Sequence, residues 1–441
     1  MTVAVTVQVA KRLLEVPLAC TVAMSPLQRS ALVSNLKGWG RELGFSRTGV
    51  AGVDLSGARQ GLSAWLAAGF HGDMAYMARH GLARCEPQTL LPGARSVVLA
   101  RMDYLDVNAT PGWPEAARER LRQPLQASIA LYALGRDYHK VVRSRLEQLG
   151  RRVVAECAEC ARSAHCTPCL ECAERNPVRY PVRYRVVCDS APIQEAELAV
   201  RSGLGWRGRN TLIVDRDGGS MFVLGALLLD IALPCEEPVA PRCGSCHACI
   251  AACPTQALVA PYRLDARRCL AYLSIEHPGP IPVALRSAMG NRIYGCDDCQ
   301  LACPWNKFAR PTTVPDFAVR PWLAGRTLLE LWEWDEATFL RNTEGSPIRR
   351  IGHERWLRNL AVALGNALRG VQGASTQGEL VQGASVSGIP VAARWDALRQ
   401  ALASRAEHPS ALVREHVAWA LEGGTAIWGN AAALPACVRP G

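Results

Sequence analysis

Apolar residues recur at helical spacing through residues 26–43 and again through 124–154, each time leaving a polar face opposite. Residues 96–102, 184–188, 211–214 and 221–229 are instead short runs with β-branched side chains, which predict strands. A further helix is expected over about 193–202. Helices interspersed with strands make an α/β domain of residues 24–234. Beyond about Val314 the pattern changes to Trp, Leu, Ala and Arg at helical spacing. There Leu360-Ala361-Val362-Ala363-Leu364 is echoed by Val417-Ala418-Trp419-Ala420-Leu421, which predicts an α-helical, HEAT-like repeat domain over 314–425. Between them, 371–390 is Gln/Gly/Ser-rich, repeats Val-Gln-Gly-Ala-Ser, and reads as a flexible insert. Residues 426–441 are left as a tail.

Composition narrows the class. Hydrophobic residues make up 49% and charged residues 20%, as in a folded globular protein. No apolar run approaches the roughly 18 residues of a membrane helix, so no membrane association is expected. Residues 1–23 read as an N-terminal extension. Their apolar stretch is broken by Glu15 and Pro17, a poor export signal, and Met24 is the expected start. A cytoplasmic location follows, and nothing in the sequence demands a partner subunit, so a monomer is expected. The net charge of +11 favours a polyanionic partner.

The 18 cysteines change the picture most. They bunch, which suits metal or cluster ligation better than disulfides in a chain of this length. Cys243-x2-Cys246-x2-Cys249-x3-Cys253-Pro254 is followed by Cys296-x2-Cys299-x3-Cys303-Pro304, with Cys269 between. Residues 235–313 are therefore expected to be a ferredoxin-like domain. In two-cluster ferredoxins the Cys-Pro cysteine of each run serves the other cluster. That rule assigns Cys243, Cys246, Cys249 and Cys303 to one [4Fe–4S] cluster, and Cys253, Cys269, Cys296 and Cys299 to a second. Structural zinc is the competing reading, but it favours paired cysteines over three at two-residue intervals before Cys-Pro. A second group, Cys157, Cys160, Cys166, Cys169 and Cys172 with His165, lacks that ending. Residues 156–181 read as a loosely structured surface insert, with a zinc knuckle as the alternative.

Gly203-Leu-Gly205-Trp-Arg-Gly208 spells a dinucleotide fingerprint, but here glycines follow a helix and precede a strand, the reverse of the order that places a pyrophosphate. Cys188-Asp189-Ser190-Ala191-Pro192 ends a strand with polar groups, a usual place for ligands in α/β folds. Asp137, in Gly135-Arg136-Asp137-Tyr138-His139-Lys140, stands where a helix begins and on residue type alone reads as an N-cap. Asp137-Tyr-His139 imitates the start of the cobalamin motif Asp-x-His-x-x-Gly, but Val142 replaces its glycine, so histidine ligation of cobalt is not supported.

Taken together, these segments resemble the epoxyqueuosine reductases. The resemblance is carried by Gly69-Phe-His-Gly-Asp-Met-Ala-Tyr-Met77, Leu91-Pro-Gly-Ala-Arg-Ser-Val97, Gly135–Lys140, Asp189–Pro192, Gly203–Thr211, both cysteine runs, Cys269-Leu-Ala-Tyr272-Leu-Ser-Ile-Glu276, and Tyr294-Gly-Cys296 through Asn306. It spans about residues 24–425. It implies a reductive-dehalogenase-like cobalamin domain, a two-cluster ferredoxin-like domain and a HEAT-like, tRNA-binding tail. It also implies reduction of the epoxide of epoxyqueuosine to the alkene of queuosine. The substrate would be tRNA carrying epoxyqueuosine at the anticodon wobble position, with electrons from an external low-potential donor. Asp137 becomes the proton donor, and a carboxyl beside a cofactor in a closed pocket is expected to have a raised pKa. Cobalamin would be held without a protein histidine on cobalt. Tyr104, Ser190, Trp206, Gly208 and Asn210 are its expected contacts, and Arg349, Arg350, Arg355 and Arg358 are candidates for tRNA phosphates. Arg209 stands where the family commonly has lysine. The competing functions are a reductive-dehalogenase-like enzyme and a ferredoxin-type electron carrier with an RNA-binding tail.

Overall fold

The computed structural model describes residues 24–162, 182–376 and 391–422. The expectations for 1–23, 163–181, 377–390 and 426–441 fall outside them. Helix α1, Pro26–Glu42, starts from a capping box in which Ser25 and Gln28 satisfy each other's backbone N–H, with Pro26 in the first turn. Its buried residues Leu32, Val33, Leu36 and Gly40 lie on one face.

That face meets a four-stranded sheet of β1 (Arg47–Gly52), β2 (Ser96–Asp103), β3 (Tyr184–Val187) and β4 (Phe222–Leu229), in the order β1-β2-β4-β3. Every pairing is antiparallel, so the crevice rule for parallel strands does not account for the site. The apolar runs lack alternation because the central strands are covered on both faces. Val98, Ala100 and Met102 of β2 join the core under α1, whereas Val97 and Leu99 join a second core on the other side.

Helix α2, Tyr138–Arg162, lies over the first face through Val142, Leu146, Leu149, Val153 and Cys157. It begins later than 124, because residues 124–137 are drawn into a short bridge at Ser128–Ile129 and a tight turn at Leu131–Ala133. Gly225 in β4 has a packing reason: a Cβ there would lie 2.4 Å from Val142 Cγ1. The helix also runs into the expected insert. Cys157 is 2% exposed, near the Met24 sulfur, so it is a core residue and not part of a surface insert. Helix α3, Glu195–Arg201, covers the other face with Leu198 and Ala199. The strand expected over 211–214 shrinks to Ile213–Val214, since Thr211 has φ +72° in a turn.

In the cysteine segment, α4 (Leu270–Ile275) is buried against α5 (Gly352–Thr376), the long helix of the C-terminal part. Helix α5 continues through residues 371–376, where a flexible insert was expected. Helices α6 (Val391–Ala403) and α7 (Ala411–Leu421) pack against it. The echoing Leu360–Leu364 and Val417–Leu421 stretches are two sides of one contact: a Cβ on Gly365 would lie 2.8 Å from that of Ala420. Polar fingers of α5 dock it. Asn359 Nδ2 donates to the carbonyls of Ser274 and Ile293, and Arg358, fully buried, donates to those of Leu273, His277 and Gly279.

Among the described residues no helix is long and apolar enough to cross a membrane. Because α2 supplies one wall of the main core, Leu146→Ala should destabilise the folded chain by about 2–5 kcal/mol. A chemical denaturation midpoint unmoved from wild type would contradict this packing.

Candidate active site

Asp137 is the residue before α2. Its backbone N–H donates to the Gly345 carbonyl at 2.8 Å, and Gly135 is so close to Phe317 that a Cβ would lie 2.8 Å from its Cα. The C-terminal part thus fixes this loop. Asp137 Oδ1 accepts from the His139 N–H at 3.1 Å, as a cap does. The same oxygen lies 2.8 Å from Nδ1 of the His139 ring, so the carboxylate does more than cap.

His139 Nε2 lies 2.8 Å from Oδ2 of Asp189 at the end of β3. Asp189 has φ +58°, unusual for a non-glycine residue, and it accepts from the Tyr138 hydroxyl at 2.9 Å. Tyr138 stacks on the His139 ring with centroids 4.1 Å apart. Burial favours neutral imidazole, but the two carboxylates outweigh it and push His139 up to about 9. Burial likewise works to raise Asp137, but the hydrogen bond and charge of His139 hold it below its ordinary value. The expected raised pKa of Asp137 is therefore corrected: in this arrangement the raised group is its partner. Behind them, burial and the Asp189 charge push Glu195 up to about 8, while its Oε1 accepts the Asp189 N–H.

The expected cobalamin contacts divide. Ser190 is exposed beside Asp189, its Oγ accepting from Arg143 at 2.9 Å. Tyr104 is 6% exposed and its hydroxyl already meets the Met221 sulfur and Gln300, so it serves packing, not an open cleft. Trp206 is fully buried, edge-on to Trp305 at 5.2 Å, which places it behind the site as well. Gly208 and Asn210 are buried in the turn before Ile213, where a Cβ on Gly208 would lie 2.7 Å from Asn210 Oδ1. Asn210 Nδ2 and Trp206 Nε1 are buried donors without an acceptor. Such orphans cost about 1–3 kcal/mol each, so this turn lacks acceptors that an amide-rich ligand brings.

The eight cysteines of residues 243–303 gather at the α/β domain's edge. Burial pushes Cys303 up to about 12, with the Cys249, Cys243 and Cys246 thiols adding to the rise. Burial raises Cys299, with Cys269, Cys249 and Cys253 among its electrostatic neighbours, and raises Cys296, which senses Cys269. Among the described residues no three Cys, His or carboxylate side chains close tightly around a single ion. Arg209 reaches this region, donating to the Gly244 carbonyl.

A second network escaped the sequence reading. Tyr272 Oη donates to Asp73 Oδ2 at 2.6 Å, and His277 Nδ1 lies 2.7 Å from the same oxygen. Gly72 is required there, since it has φ +56° and a Cβ would meet the Tyr272 hydroxyl. The neighbouring Gly-Asp and Tyr-x3-Glu-His strings were visible signals, but only the fold pairs them. The tail arginines are also corrected. Arg358 is enclosed, and all three nitrogen positions of Arg355 donate to the Ile351, Ile275 and Arg350 carbonyls. Arg350 instead pairs with Glu276 at 2.8 Å, and its charge helps to lower the Asp189 pKa.

Residues 242–306 match the model of a 4Fe-4S double cluster binding domain, and residues 84–190 that of epoxyqueuosine reductase QueG. The epoxyqueuosine reductase of Alicycliphilus denitrificans is 57% identical over 395 residues, 90% of this chain and 99% of the relative. The chain belongs to the epoxyqueuosine reductase family. The Escherichia coli K12 epoxyqueuosine reductase is 45% identical over 398 residues, 90% of each chain. A solved epoxyqueuosine reductase, in a complex with an epoxyqueuosine-modified tRNA-Tyr stem loop, shares the fold at a TM-score of 0.67 and 21% identity, covering 89% of this chain and 99% of that one. Family membership makes this protein an oxidoreductase with a double [4Fe–4S] domain.

The His139 ion pairs give a stability test. A pKa raised to about 9 in the folded state means the stabilisation is full below the unfolded histidine value and is lost as pH rises through about 9. The melting temperature of His139→Gln should therefore lie furthest below wild type near pH 6, and the gap should narrow by pH 9.5. A gap independent of pH would refute the assigned charge.

Proposed function

We propose that this epoxyqueuosine reductase reduces the epoxide of epoxyqueuosine, at the wobble position of tRNA, to the alkene of queuosine with release of water. The near full-length 57% identity to the Alicycliphilus denitrificans enzyme carries this reading, and the site's residues supply the roles. Asp137 is the proton donor. The C-terminal part pins its loop, and His139 orients the carboxyl at a distance of 2.8 Å. A positioned acid beside the breaking C–O bond lets the oxygen leave as hydroxyl and water instead of alkoxide.

Cys243, Cys246, Cys249 and Cys303 hold one cluster, and Cys253, Cys269, Cys296 and Cys299 the second. The electrostatic neighbours of Cys303 all belong to the first set and support it, whereas Cys299 senses Cys269 and Cys253 of its own set and also Cys249 of the other. Cobalamin fits the orphaned donor at Asn210, and Ser190, Asn210 and the Gly208 backbone would hold it. When bound, it would supply a strongly reducing metal centre able to engage the strained epoxide. Burial of Trp206 beneath this turn keeps its backbone rigid and water away from it.

The substrate's phosphates call for basic side chains that are not otherwise engaged. Arg349, exposed in the turn before α5, comes nearest to that requirement, its Nη1 donating to the Leu340 carbonyl at 3.1 Å and the rest of its guanidinium lying at the surface, whereas Arg358 does not, since its donors are satisfied inside the protein. Arg349→Ala should lower the salt dependence of tRNA binding by about one ion. An unchanged slope in a filter-binding salt titration would remove Arg349 from the interface.

Anaerobic reconstitution decides the cofactors. About eight irons and one cobalamin per chain are expected. Iron without cobalamin would leave only an electron carrier, and zinc alone would overturn the whole assignment. Asp137→Ala should keep both cofactors and lose turnover on epoxyqueuosine-bearing tRNA, and normal turnover by this variant would refute its role.

A further inference from the structure

We propose that His139 is the proton store of this active site, clamped between Asp137 and Asp189 so that it reloads Asp137 with one of the two protons the reduction consumes. The inference rests on the reading of Asp137 as the acid and extends it to His139, so far only a positioning residue, and to Asp189.

Hydrogen-bond accounting carries the argument. Both ring nitrogens of His139 face carboxylate oxygens at 2.8 Å. An ionised carboxylate only accepts, and a neutral imidazole has one donor and one acceptor. Two ionised partners can both be satisfied only by the imidazolium. If the imidazole is neutral, one of the carboxyls must instead carry the proton. Either way the array holds one proton more than a neutral histidine flanked by two carboxylates. The shift that converts one form to the other runs along the existing Nδ1···Oδ1 contact.

The chemistry needs such a proton. Converting an epoxide to an alkene and water takes two electrons and two protons, and both C–O bonds break. The electrons come from the reductive activity already assigned. The proton on His139 Nδ1 crosses to Asp137 Oδ1 and from there to the departing oxygen, leaving Asp137 ionised and a neutral imidazole still donating from Nε2 to Asp189. The other proton, and the later recharging of the ring, come from water. Asp189 is the water-facing member: its side chain is 50% exposed, against 20% for both His139 and Asp137.

The surrounding charges favour holding the proton here. Lys140 and Arg143 lie on the histidine's own helix, and Arg143 is engaged by Ser190. Glu195 faces the ring from behind Asp189. Arg350 and Arg84 act on Asp189 from the C-terminal part and the 81–85 turn, and Arg320 acts on Asp137. None of these cations contacts the imidazole, whereas two carboxylates do. His139 is pushed up to about 9 in consequence.

The deciding experiment titrates His139 by NMR in the reconstituted full chain with labelled histidine, the resonance being assigned as the one lost in His139→Gln. A midpoint near 9 that falls by one pH unit or more in Asp189→Asn is expected. A midpoint near the ordinary histidine value would overturn the proposal. Turnover is then compared across variants of full cofactor content. His139→Gln should lose about 100-fold or more in kcat with little change in KM, and His139→Gly should recover activity with added imidazole. If Asp137→Ala is inactive while His139→Gln keeps wild-type kcat, this proposal alone fails. If Asp137→Ala is active, the underlying assignment of the acid fails instead.

Discussion

A buried polar knot holds the cysteine segment against the sheet, and everything the site does depends on it. Asn306, just after Cys303-Pro304, donates from Nδ2 to the Gln300 carbonyl at 2.6 Å and to Ser220 Oγ at 3.0 Å. Its Oδ1 accepts the Ser220 backbone N–H, and Gln300 Nε2 closes the loop on the Ser220 carbonyl at 2.9 Å. Ser220 stands two residues before the strand β4, so the turn carrying Cys299 and Cys303 is tied to the centre of the sheet. A polar network this enclosed is stabilising only if all of its members are paired, which makes its geometry unforgiving. An electron relay needs such rigidity, because its centres must keep a fixed spacing while charge passes.

The C-terminal helices act as a clamp on the same assembly. Arg358, Asn359 and Asn366 of α5 reach backbone carbonyls around α4 and residues 286–293, satisfying groups that short helices leave open. The 344–345 turn of the same part holds the backbone of Asp137 and receives Arg320. This arginine-rich part therefore divides its positive charges. Some arginines are structural struts inside the protein, and others, Arg349 and Arg350 among them, are left at the surface. This division follows from whether the guanidinium can find several carbonyls at once.

His139 shows why a residue's type says little about its protonation. One of its two carboxylate neighbours, Asp189, lies 50 residues along the chain from it. Their combined attraction exceeds the burial penalty that would otherwise keep the ring neutral. The same pairing reverses the usual expectation for Asp137, which is half-enclosed yet held ionised.

The eight-cysteine pattern, the strand and helix runs, and the polar strings around Asp137 and Asp189 were all legible in the sequence, because local spacing and side-chain chemistry suffice to mark them. Periodicity likewise found α1 and the central strands, whose apolar faces are continuous. It misplaced the start of α2, since only pairing with residues 291–294 shows that Ser128–Ile129 is extended. It read Cys157 as part of an insert because a thiol in a polar stretch looks exposed until Met24 is seen against it in the core. Antiparallel order, burial of Tyr104 and Trp206, the engagement of Arg355 and Arg358, and the proton's residence on His139 belong to the tertiary structure alone. Each depends on which distant group lies within a few ångströms, and hydrogen bonding and charge act through that distance, not through position along the chain.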